Sequence, residues 1–231
     1  MCVEILPDET IDTIISEDLR VIQKKRGPKF SVDAVLLARF PKVRRGERVI
    51  DLGTGTGVIP LIIAFTTEAG RVVGLEIQGE LVDMARRSVK LNGFEGRVEI
   101  VEGDVRRIEE LFPPESFDLV VCNPPHMKVQ PGRMSPDPRV AASKHEVLGK
   151  LSDFVRAASY LVRFRGRTAF AMRPARLSEM LRLCEERGLT PKRLKFVHPK
   201  PGEEAELFLL EAVKGGGEGL IVCPPEFLSS G

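Results

Sequence analysis

A glycine loop and three acidic residues recur at spacings that could hold a small ligand. Asp51 and Leu52 lead into Gly53-Thr54-Gly55-Thr56-Gly57, where glycine permits tight curvature and close approach of the backbone to a ligand. The GxGxG spacing differs from the dinucleotide GxGxxG, and no Lys-Ser/Thr pair follows to make a phosphate loop of the Walker kind. Glu76 ends the next apolar run, 19 residues beyond Gly57, where a carboxylate can accept from both hydroxyls of a ribose. Asp104 ends the run after that, placed to accept from an adenine amino group. Each carboxylate alone is ordinarily a helix cap or a solvated strand end; three at successive strand ends beside a glycine loop form a pattern. A fourth run, Phe117 to Cys122, stops on Asn123-Pro124-Pro125-His126. Proline lacks an N–H and ends sheet pairing, so the simplest role for the two prolines is to terminate a strand.

The elements that must position these residues alternate. From residue 47, "ERVIDLG" is a strand and "VIPLIIAF" a helix; "RVVGLEI" is the next strand, and "GELVDMARRSVKLN" repeats its apolar residues near one helical face. "RVEIVEGD" and "FDLVVCN" give two more strands, "LSDFVRAASYLV" a helix and "GRTAFAM" a fifth strand. Helix "PARLSEMLRLCEERG" stops at Gly188. "KRLKFVH" and "AELFLLEAV", joined by "PKPGEE", predict an antiparallel hairpin closing one edge. The alternation predicts a doubly wound α/β sheet with its ligand at the carboxyl ends of the strands. Residues 1–46 form an N-terminal extension, expected to pack over the crevice with a helix in "SVDAVLLARF", and residues 47–231 form the main domain.

Composition narrows the setting. The chain of 231 residues is 42% hydrophobic and 29% charged, ordinary for one globular domain. No apolar run approaches the ~20 residues of a membrane span, and the acidic start MCVEILPDET is not a signal region, so a cytoplasmic protein is expected. Cys2, Cys122, Cys184 and Cys223 are widely spaced, without CxxC or a nearby histidine pair, which predicts reduced thiols and no metal. Net charge is only +2, but residues 123–200 carry 17 Lys and Arg against 6 Asp and Glu, and the remainder is acidic. Such polarity predicts a basic face for a polyanion.

With these motifs the sequence resembles the class I S-adenosylmethionine-dependent methyltransferases over roughly residues 20 to 215. The resemblance implies a mostly parallel, seven-stranded Rossmann-like sheet with a C-terminal antiparallel hairpin, and S-adenosyl-L-methionine as cofactor. It assigns to the cofactor Asp51, Gly53, Thr54, Gly55, Gly57, Glu76, Ile77, Asp104, Val105 and Asn123. "NPPH" is similar to the (N/D)PP(Y/F/W) motif of enzymes that methylate an amine conjugated to a π-system. Such an amine is a poor nucleophile, so activation must come from holding it. The Asn123 oxygen and the Pro124 carbonyl can accept both N–H bonds, while Pro125 stiffens the turn. The fourth residue ordinarily stacks an aromatic ring on the acceptor; here it is His126, whose imidazole can stack on a base but with less area.

Beyond the motif, "MKVQPGRMSPDPRVAASKHEVLGKL" predicts a long functional loop. Its "ASKHE" resembles the "ARHE" element of the bacterial tRNA(Val) adenine-37 N6-methyltransferases. "KKRGPKFSVDAVLLARF" and "KRLKFVHPKPGEEAELFLLEAVKGG" are similar to that family's N- and C-terminal segments, apart from Lys144 where Arg is common and the acidic "GEEAE". These matches imply an N6-adenine methyltransferase acting on RNA, expected to be tRNA, with Lys128, Arg133, Arg139, Lys144 and His145 facing the RNA. Two alternatives stand beside it. One is another conjugated amine: guanine-N2 in rRNA, DNA adenine or a protein glutamine. The other is a cofactor- and RNA-binding protein without catalysis.

Overall fold

The computed structural model describes residues 3–26, 29–125 and 149–229. Two short strands open the chain, β1 (Glu9–Thr13) and β2 (Arg20–Lys24), paired antiparallel, followed by helix α1 (Val32–Arg39). The main sheet then begins: β3 (Arg48–Leu52), α2 (Val58–Thr66), β4 (Arg71–Glu76), α3 (Gly79–Leu91) and β5 (Val98–Glu102). A 3-10 turn (Val105–Arg107) leads into α4 (Ile108–Leu111) and β6 (Phe117–Cys122). The C-terminal part holds α5 (Leu151–Leu161), β7 (Val162–Met172), α6 (Leu177–Glu186), β8 (Leu189–His198) and β9 (Leu207–Lys214), then the two-residue strands β10 (Ile221–Val222) and β11 (Glu226–Phe227).

The sheet runs β10-β8-β9-β7-β6-β3-β4-β5, with β11 also on β8. Strands β5, β4, β3, β6 and β7 are mutually parallel, and β9 runs antiparallel between β7 and β8. The order reverses between β3 and β6, which opens a crevice at their carboxyl ends. Alternation along each strand sorts side chains into two cores. Val49, Val72, Leu119, Val121, Ala169 and Leu209 face α1, α2 and α3; Ile50, Val73, Val120, Phe170, Phe208 and Leu210 face α5 and α6. Helix α2 is buried from Val58 to Ala64 because α1 covers its outer side, which explains its unbroken apolar sequence.

The expected seven strands are present, including the C-terminal hairpin. Three features differ from expectation. The β1–β2 hairpin is additional; β7 starts at Val162, before the predicted "GRTAFAM"; and the tail adds β10 and β11 to the edge strand β8. The early start of β7 includes Arg165 in the left-handed region, φ 62°, with a register shift against β6, an irregularity that propensity does not announce. Among the described residues no helix is long and apolar enough to cross a membrane, and no cluster of three or more His, Cys, Asp or Glu could hold a metal ion. Cys122 and Cys184 are buried free thiols, and burial pushes both thiol pKa values up.

The hairpin docks on α3 by satisfying its own strand edge. Ile22 N–H donates to Ser88 Oγ at 2.9 Å, and Arg20 exchanges two hydrogen bonds with the Asn92 amide, so helix side chains take the place of a missing neighbouring strand. Arg87, also on α3, grips the buried carboxylate of Glu9 through two nitrogens, and this hydrogen bonding holds the Glu9 carboxyl below its ordinary pKa. Ser88→Ala should leave the buried Ile22 N–H without an acceptor and cost about 1–3 kcal/mol. Urea unfolding measures the loss, and hydrogen exchange should show reduced protection at the Ile22 amide.

Candidate active site

A cleft of about 470 Å³ opens at the carboxyl ends of β3, β4, β5, β6 and β7. Its floor is the loop after β3. Gly53 and Gly55 have φ of 76° and 57°, which L side chains adopt only under strain, and Gly53 N–H and Thr54 N–H both donate to the Leu75 carbonyl. A Cβ on Gly55 would meet nothing within 4 Å, so glycine is required there by backbone conformation and not by crowding. Gly57 stands behind the cleft: at φ 83° it starts α2, and a Cβ there would lie 3.2 Å from the Ala85 Cβ. Its role in the structure is to let α2 approach α3.

Glu76 joins the loops. One carboxylate oxygen accepts Gly55 N–H at 3.0 Å, the other accepts Ile77 N–H and Gln78 N–H at 3.0 Å each, and the Glu76 backbone carbonyl accepts Gly103 N–H. The loops after β3, β4 and β5 are thereby tied to one another by the protein's own hydrogen bonds. Oε2 accepts only the Gly55 amide and keeps a second lone-pair direction, so the group can still receive a hydroxyl there, whereas Oε1 is already taken by two amides.

Asp51 lies beneath the glycine loop and does not line the cleft. Among the described residues neither of its buried oxygens, nor the buried Thr54 Oγ1, has a hydrogen-bond partner of ordinary length, although the Thr54 hydroxyl lies near enough to act on the carboxyl. Burial pushes the Asp51 carboxyl up to about 7; the nearby Thr54 hydroxyl draws it part of the way back, and the Glu76 charge adds to the rise. Gly74 on β4 makes room for this packing, since a Cβ there would fall 2.8 Å from Thr54 Cγ2.

Asp104 caps the 3-10 turn, accepting Arg106 N–H, and the Arg106 guanidinium binds both carboxylate oxygens. Hydrogen bonding from Arg106 holds its carboxyl below the usual range. Any ligand group reaching this carboxylate would have to compete with Arg106, whose side chain is half-exposed. Val105 and Ile77 line the same end of the cleft.

Asn123, Pro124 and Pro125 line the other end, directly after β6. Asn123 Oδ1 is buried and has no hydrogen-bond partner among the described residues. A buried acceptor at a cleft without a protein partner is open to a donor from a ligand or from water. His126, Lys128, Arg133, Arg139, Lys144 and His145 lie outside the described residues.

The cleft also gathers residues that motif reading missed. Lys29, Phe30 and Ser31 form a wall from the segment before α1, Phe154 approaches Gly53 from α5, and Arg173 stands just past β7. Gln23, fully buried, fixes this wall by accepting Phe30 N–H at 2.7 Å while donating to Asp12. No spacing rule links residue 30 or 173 to the glycine loop; only packing does. The basic excess of residues 123–200 is also partly cancelled in space. Arg156, Arg163, Arg167 and Arg193 pair with Glu109, Asp118, Glu47 and Glu211, carboxylates from the acidic remainder of the chain.

Asp51 yields a signed pH test. Its carboxyl holds a proton up to about pH 7 when folded, but only to about 3.8 when unfolded, so its contribution to stability is complete below the lower value and is lost as pH rises through the upper one. Asp51→Asn stays neutral throughout. Its stability relative to the unmodified protein, by urea unfolding, should therefore improve from pH 5.5 to pH 8; a constant difference would contradict a buried neutral acid.

Comparison with known proteins places this geometry. A family profile described as a methyltransferase domain matches residues 44–188. A tRNA1(Val) (adenine(37)-N6)-methyltransferase of Porphyromonas gingivalis is 30% identical over 189 residues, covering 79% of this chain and 73% of the relative. The protein of that name from Parabacteroides distasonis is 26% identical over 185 residues, covering 79% and 76%. Among solved structures, a predicted O-methyltransferase, protein Atu636 of Agrobacterium tumefaciens, superposes with a TM-score of 0.71 at 29% identity, covering 86% of this chain and 88% of that one. With a methyltransferase profile across most of its length and a relative this similar over most of both chains, the protein belongs to the S-adenosylmethionine-dependent methyltransferases, in the family of the tRNA1(Val) (adenine(37)-N6)-methyltransferases.

Proposed function

We propose that this methyltransferase modifies N6 of an adenine in tRNA, at the position 37 that its relatives' names state, and that Asn123-Pro124-Pro125 holds the acceptor amine. The observation that carries the reading is the buried Oδ1 of Asn123 at the cleft, without a hydrogen-bond partner among the described residues. Beside it the Pro124 carbonyl offers a second acceptor. Two acceptors suit an amine that brings two hydrogens; a hydroxyl acceptor brings one, and needs a base to remove it. This favours nitrogen over the oxygen named for the Agrobacterium protein.

The remaining cleft residues suit S-adenosylmethionine. Glu76 is proposed to receive the ribose hydroxyls, the Gly53 to Gly55 backbone to follow the methionine part, and Ile77 and Val105 to flank the adenine, with Asp104 reaching its amine once Arg106 swings aside. Asp51 and Gly57 act from behind the loop, by supporting its conformation. When bound, the cofactor supplies an electrophilic methyl group. The chain's own contribution is to align the amine, drawing its hydrogens onto Asn123 and Pro124 so that the nitrogen lone pair is free to attack. That is positioning and differential transition-state binding, without a strong base. His126, Lys128, Arg133, Arg139, Lys144 and His145 are proposed to act on the RNA side, with His126 as the ring beside the base.

Incubation of tRNA lacking the modification with labelled cofactor, followed by nucleoside analysis, tests the substrate. N6-methyladenosine is expected; N2-methylguanosine, or label in a protein glutamine, would replace the acceptor while leaving the Asn-Pro-Pro geometry in place. Asn123→Ala should lower kcat by about 10²-fold or more while cofactor affinity by calorimetry stays near its original value. Glu76→Ala should do the reverse, weakening cofactor binding on the order of 10²-fold through loss of charge-assisted hydrogen bonds and of the loop tie.

A further inference from the structure

Arg173 lies in the cleft with no role in the scheme above. It follows β7 directly, and β7 pairs in parallel with β6 so that Cys122 is opposite Phe170. Continuing that register sets Asn123 beside Ala171, with Arg173 two residues further out. The loops assigned to the cofactor follow β3, β4 and β5, on the opposite side of β6. Adjacent strands are about 4.8 Å apart, so Arg173 stands roughly 10 Å from the end of β3, with Asn123 between them. A ligand whose amine is held at Asn123, facing the cofactor side, extends its other end toward Arg173.

The guanidinium is presented for such a contact. Its Nη1 donates to the backbone carbonyl of Glu206 at 2.9 Å, which orients the group, while the side chain remains 47% exposed. That carbonyl uses one of five donors and leaves a planar fork. The Glu206 carboxylate is 3.7 Å away, beyond hydrogen-bond distance, and is itself 59% exposed, a solvent-screened neighbour that a directly hydrogen-bonded, bidentate oxyanion can displace. The other cation lining the cleft among the described residues, Lys29, is bonded to Asp12 at 2.7 Å. The turn between β8 and β9 carries Lys200 but also Glu203, Glu204 and Glu206, so the local field is not broadly basic and any anion contact here is short-range and directional.

We infer that Arg173 binds a phosphodiester of the nucleotide whose base is presented to Asn123, fixing the acceptor by its backbone while Asn123 and Pro124 hold its amine. This rests on the nucleic-acid reading of the site and adds to it a residue outside the long basic loop. It also discriminates among conjugated amines, since a glutamine side chain brings no phosphate to this position.

The test measures binding of an unmodified tRNA transcript by fluorescence anisotropy across a salt series, with S-adenosylhomocysteine affinity by calorimetry and thermal melting as parallel readouts. Arg173→Gln should weaken tRNA binding about tenfold and reduce the slope of log K against log salt by about 1, with cofactor affinity and melting temperature unchanged. Arg173→Lys should recover the slope but only part of the affinity, because the charge returns without the fork. Glu206→Gln keeps the orienting carbonyl, removes the competing carboxylate, and should tighten binding. An unchanged slope in Arg173→Gln, or equal losses of RNA and cofactor affinity, would overturn the inference while unmodified protein that still methylates tRNA upholds the substrate. Unmodified protein that neither binds nor methylates tRNA, but labels a protein glutamine, would overturn both.

Discussion

The carboxylate of Glu76 accepts amide hydrogens from Gly55, Ile77 and Gln78, and the Glu76 carbonyl accepts one from Gly103. Loops from three different strands are thus tied to one residue at the end of β4. Backbone N–H groups at a loop that must stay open to a ligand have few partners of their own, and a buried anion is a strong one for several at once. The arrangement works in both directions: the amides compensate the desolvation of the carboxylate, and the carboxylate fixes the amides beside the cleft. The positive φ values of Gly53 and Gly55 belong to the same constraint, since the loop can turn under the Leu75 carbonyl and back to Glu76 only through the left-handed region.

Beneath that loop the packing is less complete. Asp51 and Thr54 bury polar atoms without hydrogen-bond partners among the described residues, and the acid rests in its neutral form up to about pH 7. Polar atoms buried in this way below the loop are a local loss of stability beside the apolar clusters on the two faces of the sheet. The N-terminal residues offset such weakness from above. The hairpin is clamped to α3 through Ser88, Asn92 and Arg87, Gln23 then anchors Phe30, and the wall of the cleft follows. A segment distant in sequence from the methyltransferase strands therefore shapes the site through a chain of specific hydrogen bonds.

Charge shows the same separation between chain order and space. The basic stretch after Asn123 contributes arginines to strands and helices that lie against the acidic parts of the chain, and several pair there. Net charge by segment consequently overstates any basic surface. What distinguishes Arg173 is position: it stands where β7 ends, in the cleft, beside a carbonyl that aims it.

Periodicity and punctuation in the sequence were sufficient to determine the alternating strands and helices, the parallel sheet, the C-terminal hairpin and the crevice at its carboxyl ends. Their cause is local: alternation sets which face of a strand is buried, glycine permits the turn after β3, and proline ends β6. The same local signals brought Glu76, Asp104 and Asn123 to notice, because each ends a strand that the sequence already delimits. The β1–β2 hairpin escaped because its edge is satisfied by α3 side chains more than 60 residues away, which no short pattern encodes. Asp51 and Gly57 share the motif of Gly53 and Gly55 but stand behind the cleft, and Arg106 occupies the carboxylate of Asp104, distinctions made by packing and pairing. Phe30 and Arg173 enter the site only because α1 crosses the sheet and β7 lies beside β6. Which residues a strand order brings together is a property of long-range contacts, and these the tertiary structure alone decided.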